Sequence, residues 1–181
     1  MKILAFTDIH GSPSALKRLK QKINSQKPDL LVCAGDISIF EHGIVGILRR
    51  LNKLNKKIII IHGNHEDDST FRKLSKIFKN ILFVHKHHFI QNNVLFLGYG
   101  GGGFAMTDRE FEKNANSRFK KGIAGSVYIF ERYGETNFSG CAVFRKPPTS
   151  SDKHHKIFRK SIGVDDCSAC PAFQCFGESF D

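Results

Sequence analysis

Three short stretches of the chain carry side chains able to hold metal ions and move protons: Asp8-x-His10, Gly35-Asp36 and Gly63-Asn64-His65-Glu66. Asp8 and Asp36 offer hard anionic oxygens, His10 an imidazole nitrogen and Asn64 a neutral carbonyl oxygen. Mixed nitrogen and oxygen ligation suits Mn²⁺, Zn²⁺ or Fe better than a thiolate site would. A carboxylate such as Asp36 can bridge two ions about 3.5–4 Å apart, the separation found in two-metal hydrolases. Glycine beside these ligands lets each loop turn sharply and lets backbone approach an ion. Any one of the aspartates alone reads as a helix cap or loop residue; the three stretches together read as a metal centre.

The elements that must position these residues alternate in type. Ile58–Ile61 is four consecutive isoleucines running straight into the third stretch. Nothing polar alternates with these β-branched side chains, so the run reads as a strand buried on both faces. Lys2–Phe6 and Asp29–Cys33 are the strands that feed the first two stretches. Between them, Ser12 caps and Pro13 opens a helix with an apolar stripe at Ala15, Leu16, Leu19 and Ile23. A second amphipathic helix is expected over Glu41–Leu54 and a third over Ser69–Phe78. Strand and helix alternating at this spacing predict parallel βαβ units with right-handed crossovers. In open α/β sheets ligands sit beyond the carboxyl ends of the strands, which is where all three stretches fall.

Further along, Ile81–Val84, Phe89–Ile90 and Val94–Leu97 are short strands, with Asn92-Asn93 as a hairpin turn. Gly98-Tyr99-Gly100 to Gly103 reads as a loop, either at the rim of the site or a plain connector, and lacks the strand–GxGxxG–helix context of a dinucleotide site. Thr107 and Glu110 form a capping box for a helix to about Phe119. Val127–Phe130 is a last strand. His62 is expected to pack or to support the ligands from behind, Glu66 and Asp67 to favour the N-terminus of the next helix, and His85, His87 and His88 to lie on a partly exposed strand or hairpin.

The chain has 181 residues, 40% hydrophobic and 25% charged, which suits one compact soluble domain. No apolar run approaches the roughly 20 residues of a membrane span, and the N-terminus does not read as a secretory signal, so a cytoplasmic protein without a membrane partner is expected. The net charge of +11 admits nucleic acid or a phosphorylated partner, or simply lysine-rich solvated helices such as Lys17–Lys22. Aromatic residues do not interleave with the charges as a single-strand stacking platform requires.

The three stretches resemble the calcineurin-like metallophosphoesterase superfamily over roughly residues 1–120. The resemblance implies an α/β fold, a β-sandwich of mixed sheets flanked by helices, and a phosphoesterase or phosphodiesterase activity with two divalent metal ions, Mn, Zn, Fe or similar. It implies that Asp8 and His10 hold one ion, that Asp36 bridges both, and that Asn64 holds the second. His65, with Asn64, would bind substrate, and His65 would act catalytically on the leaving group.

The family pattern continues with later histidine motifs, ending in Gly-His-x-His, and this sequence contains none. After Val127–Phe130 come Glu131-Arg132-Tyr133. The late pair His154 and His155 would point to opposite faces of a strand. Residues 1–120 hold all twelve leucines, while residues 121–181 hold none and contain Cys141, Cys167, Cys170 and Cys175. The C-x₂-C-x₄-C run from Cys167 lacks the paired second half of a structural zinc module. These changes predict a metallophosphoesterase-like domain over 1–120 and an atypical tail over 121–181 that is not the family's own C-terminal half. They also predict an incomplete second metal site and impaired turnover; the alternative is a non-catalytic module that binds phosphate or nucleic acid.

Overall fold

A computed structural model describes residues 1–92, 94–101, 127–133, 139–142 and 173–176. In chain order the elements are β1 (Ile3–Phe6), α1 (Pro13–Gln26), β2 (Leu30–Cys33), α2 (Ile44–Asn52), β3 (Ile58–Ile60), α3 (Asp68–Ser75), β4 (Ile81–Phe83), β5 (His88–Gln91), β6 (Val94–Tyr99), β7 (Val127–Tyr133), β8 (Ser139–Ala142) and β9 (Phe173–Phe176).

Two sheets form a sandwich. The first has the order β4-β3-β2-β1-β9 and is parallel throughout, with Leu4 opposite Leu31 and Leu31 opposite Ile58. The second has the order β5-β6-β7-β8 and is mixed: β6 and β7 run parallel, and the outer pairs are antiparallel. The isoleucine run is buried on both faces because alternate residues enter different cores. Ile58 and Ile60 pack with Leu4, Phe6, Leu31 and Cys33 against Leu19 of α1, Leu48 and Leu51 of α2 and Phe71 of α3. Ile59 and Ile61 pack with Ile3, Leu30 and Val32 against Phe96 of the second sheet. Each isoleucine so buried stabilises the fold by roughly 1.5–3 kcal/mol.

The helices start and stop for identifiable reasons. Ser12 Oγ accepts from the Ala15 amide at 3.2 Å, Pro13 stands in the first turn, and Lys27 ends α1 in a left-handed conformation with its N–H on the Ile23 carbonyl. The second helix begins at Ile44 and not at Glu41, because Phe40, Glu41 and Gly43 have φ of 46°, 61° and 68°. A right-handed helix cannot accommodate such residues. The third helix begins at Asp68, with Asp67 as its cap accepting from the Ser69 amide at 2.8 Å, and stops at Ser75, short of Phe78. Gln91 pairs with Val94 where β5 turns back into β6, and Asn92 has the positive φ favoured in hairpin turns; Asn93, the other residue of the expected turn, lies outside the described residues.

Gly98 and Tyr99 belong to β6, not to a loop. A side chain at Gly98 would sit 2.6 Å from Val84 Cγ2, so glycine is what lets β6 close onto the end of β4. Among the described residues no helix is long and apolar enough to cross a membrane. The Thr107–Phe119 helix, His154, His155, Cys167 and Cys170 lie outside the described residues.

Candidate metal centre

The loops after β1, β2 and β3 are bonded to one another directly. The amides of Asp8, His10 and Gly11 donate to the carbonyls of Gly35, Asp36 and Ile37 at 3.4, 3.0 and 2.8 Å, which lays the first loop against the second. The second meets the third where Gly35 faces Gly63; a side chain on Gly35 would stand 2.6 Å from Gly63 Cα. The His65 amide then donates to Asp36 Oδ1 at 3.1 Å.

Asp8, His10 and Asp36 all adopt positive φ, at 54°, 47° and 48°. Non-glycine residues are uncommon there, and such strain collects at functional sites. Asp8 and Asp36 are buried, whereas His10, Asn64 and His65 are half-buried. Asp8 Oδ1 lies 3.4 Å from His10 Nε2, and Asp8 Oδ2 is buried without a hydrogen-bond partner. The bond from Asp8 raises the His10 pKa above its usual value; burial opposes this, while the Ser38 carbonyl and the charges of Asp8 and Asp36 add to it. The site thus favours positive charge. An orphaned carboxylate oxygen beside an imidazole, with a second buried carboxylate near enough to act on it, fits a divalent cation in both charge and donor chemistry.

Asn64 stands between Gly63, which abuts the Asp36 carboxylate, and His65, whose amide binds it. The His65 ring meets His10 edge-on at 5.1 Å and Phe40 at 4.7 Å, with its Nδ1 buried and without a hydrogen bond. Phe40 is exposed beside it, to 77%, and Ile39, which precedes Phe40, is exposed as well. All five residues expected at the site therefore lie on, or next to, one set of joined loops.

Glu66 does more than favour a helix end, as the sequence suggests. It is buried and accepts from the amides of Asp36, Ser38 and Gly63 at 3.0, 2.8 and 2.9 Å and from the Ser38 hydroxyl at 2.8 Å. Burial raises its pKa, and the backbone and hydroxyl donors pull it back. One carboxylate thereby ties the second loop to the third. Glu66→Gln puts an NH₂ group where one oxygen accepted, setting donor against donor. Stability is expected to fall by about 2–3 kcal/mol in urea titrations, with metal affinity falling alongside.

His85 corrects a second expectation: it is buried, and only His87 and His88 are exposed. Burial lowers its pKa to about 4, with His62, Lys86 and Arg72 adding to the effect and Asp68 opposing it. An unfolded histidine takes up its proton near pH 6.5. Between pH 6.5 and about 4 the unfolded chain therefore binds more protons, and stability falls as pH falls. In chelator, His85→Gln is expected to flatten that part of the stability–pH curve, as read by thermal melts at half-unit intervals. His62 is buried too, with its ring 4.5 Å from that of His85.

A sequence profile described as calcineurin-like phosphoesterase matches residues 1–164 of the chain. Among solved structures the chain is similar to TT1561 of Thermus thermophilus, with 13% identity over 77% of this chain and 72% of that one and a TM-score of 0.59. It is also similar to a protein described as a novel archaeal phosphodiesterase, with 16% identity over 79% and 82% of the two chains and a TM-score of 0.51. At such identities the likeness is one of fold. No curated protein matches the chain.

Proposed function

Because the chain belongs to the calcineurin-like phosphoesterase family, we propose that it is a hydrolase of phosphoesters acting at the joined loops of Asp8, His10, Asp36 and Asn64. The observation that carries this reading is the buried, unpartnered Asp8 Oδ2 beside His10, on a loop bonded directly to that of Asp36. In this reading Asp8 and His10 hold one divalent ion, Asp36 is shared, and Asn64 belongs to the second ion. Bound ions would polarise the phosphoryl oxygens and make an attacking water more acidic.

The chain's own residues do the rest. A water that has given one proton to solvent forms the new bond from its oxygen to phosphorus as the bond to the leaving oxygen breaks, and His65 as imidazolium gives that leaving oxygen its proton, help worth about 10²–10⁴-fold. Asn64 and His65 contact the phosphoryl group, and exposed Phe40 and Ile39 put the leaving group's side of the site against an apolar lip. Glu66 keeps the second and third loops at their spacing.

The sequence contains no Gly-His-x-His, so the second ion has only Asp36 and Asn64 from these loops. Turnover well below that of a site with a full set of ligands is the expectation. Assay of p-nitrophenyl phosphate mono- and diesters with Mn²⁺ tests the reading: slow hydrolysis abolished by chelator supports it, and none at any metal concentration refutes it. A +11 chain that binds without turnover would instead show nucleic-acid or phosphate affinity falling steeply with salt.

A further inference from the structure

Three side chains outside that set meet from three elements: His62 after β3, Asp68 at the first residue of α3, and His85 after β4. One ligand-capable atom from each lies within 4.8 Å of the other two. Hydrogen bonding assigns their lone pairs. His62 Nδ1 is 3.0 Å from the Gly63 carbonyl, which only accepts, so Nδ1 carries the proton and the lone pair is on Nε2. That Nε2 is buried without a partner, in a residue only 7% exposed. Asp68 divides its oxygens: Oδ2 accepts from Arg72 Nε at 2.9 Å, and Oδ1 is buried without a partner. Acceptors left so cost about 1–3 kcal/mol each. Two of them, on side chains whose ligand-capable atoms lie within 4.8 Å of each other, call for something electropositive nearby.

We propose that His62, Asp68 and His85 bind a divalent transition-metal ion in a site that shares no residue with the Asp8–Asn64 set. Two imidazoles and one carboxylate are the donors of Zn²⁺, Co²⁺ or Ni²⁺, not of Mg²⁺ or Ca²⁺, which take oxygen. Bonds of about 2.0–2.1 Å draw donors closer together than 4.8 Å, so binding tightens the ends of β3 and β4 onto the start of α3. The ion acts as a staple across the strand that carries the phosphoesterase loop, and it does so whether or not that loop hydrolyses phosphoesters.

Loading has a second consequence. The Gly100 amide donates to His85 Nδ1 at 2.8 Å. A neutral imidazole has one lone pair. If the ion takes Nδ1, the amide is displaced; if it takes Nε2, the proton moves to Nδ1 and faces the amide. Either way, the ion and the Gly100 bond exclude each other. The neighbouring bond from the Gly101 amide to the His62 carbonyl, at 3.2 Å, is untouched by the choice.

The test uses the full chain, stripped of metal, with Asp8→Asn and Asp36→Asn to weaken the other centre. Zn²⁺ titration by competition with a chromogenic chelator is expected to show one tight ion, and Zn²⁺ to raise the thermal midpoint. Adding His85→Gln should weaken that ion by more than about 100-fold, beyond the 10–100-fold that loss of an outer partner costs, and should remove the thermal shift. Asp68→Asn, close to isosteric, should do the same and serves if His85→Gln fails to fold. In ¹⁵N NMR spectra Zn²⁺ should shift the Gly100 amide. Failure of the parent to bind zinc, or affinity indifferent to both substitutions, overturns the proposal.

Discussion

Asp36→Asn is expected to lower kcat/KM for phosphoester hydrolysis by at least about 10³-fold, or about 4 kcal/mol of transition-state stabilisation, while leaving the fold intact. The two halves of this expectation have separate causes. Asparagine tolerates positive φ, so the residue can keep its φ of 48°. Its carbonyl oxygen can still accept from the His65 amide, as Asp36 Oδ1 does at 3.1 Å. What disappears is the negative charge, in a residue only 2% exposed, on which two cations would depend. Metal content and turnover should fall together, with the thermal midpoint in chelator nearly unchanged. Turnover kept within about tenfold of the parent would mean that Asp36 holds no ion that the reaction needs.

The outline of this fold was legible because burial follows simple periods. Four isoleucines without a polar partner read as a doubly covered strand, which forms over Ile58–Ile60 with Ile61 buried just beyond its end, and the stripe Ala15, Leu19, Ile23 reads as a core-facing one, which it is. The loop residues were legible for another reason: Asp8, His10, Asp36, Asn64 and His65 all follow strands of one parallel sheet, so their convergence follows from topology. Glu66 was not legible. Its partners Asp36 and Ser38 lie 30 and 28 residues earlier, and nothing local distinguishes a buried loop tie from an acidic cap. A hint lay in the run Glu66-Asp67-Asp68, one acid more than a cap and a first turn require. The start of α2 was hidden because the left-handed turn at Phe40 and Glu41 is imposed by tertiary contacts, among them the Glu41 amide on the His65 carbonyl at 3.2 Å, and neither residue type announces it. His85 escaped because burial in a short segment depends on what the second sheet brings over it, and the glycines that allow this lie thirteen and more residues away.

Gly63→Ala is expected to cost about 3–5 kcal/mol of stability and to remove hydrolysis altogether. The cause is contact, not conformational freedom, since Gly63 is not among the residues with positive φ. A methyl group there would collide with the Asp36 carboxylate, its Cγ and backbone N both at 2.5 Å. A carboxylate alone could rotate away; the backbone cannot, because the Asp36 amide is fixed by Glu66 Oε2 at 3.0 Å and the Asp36 carbonyl by the His10 amide at 3.0 Å. Relief therefore requires the second and third loops to part, which breaks the Glu66 ties and separates the aspartate from Asn64 at once. Gly46 supplies the control. It lies within α2, and nothing stands within 4 Å of the place its methyl group would take, so Gly46→Ala should stabilise the chain by up to about 1 kcal/mol through helix propensity. Opposite signs for the same chemical change, read by urea titration of both variants, would locate the effect in the packing of the loops. Equal behaviour of the two would show that the second and third loops do not meet at Gly63.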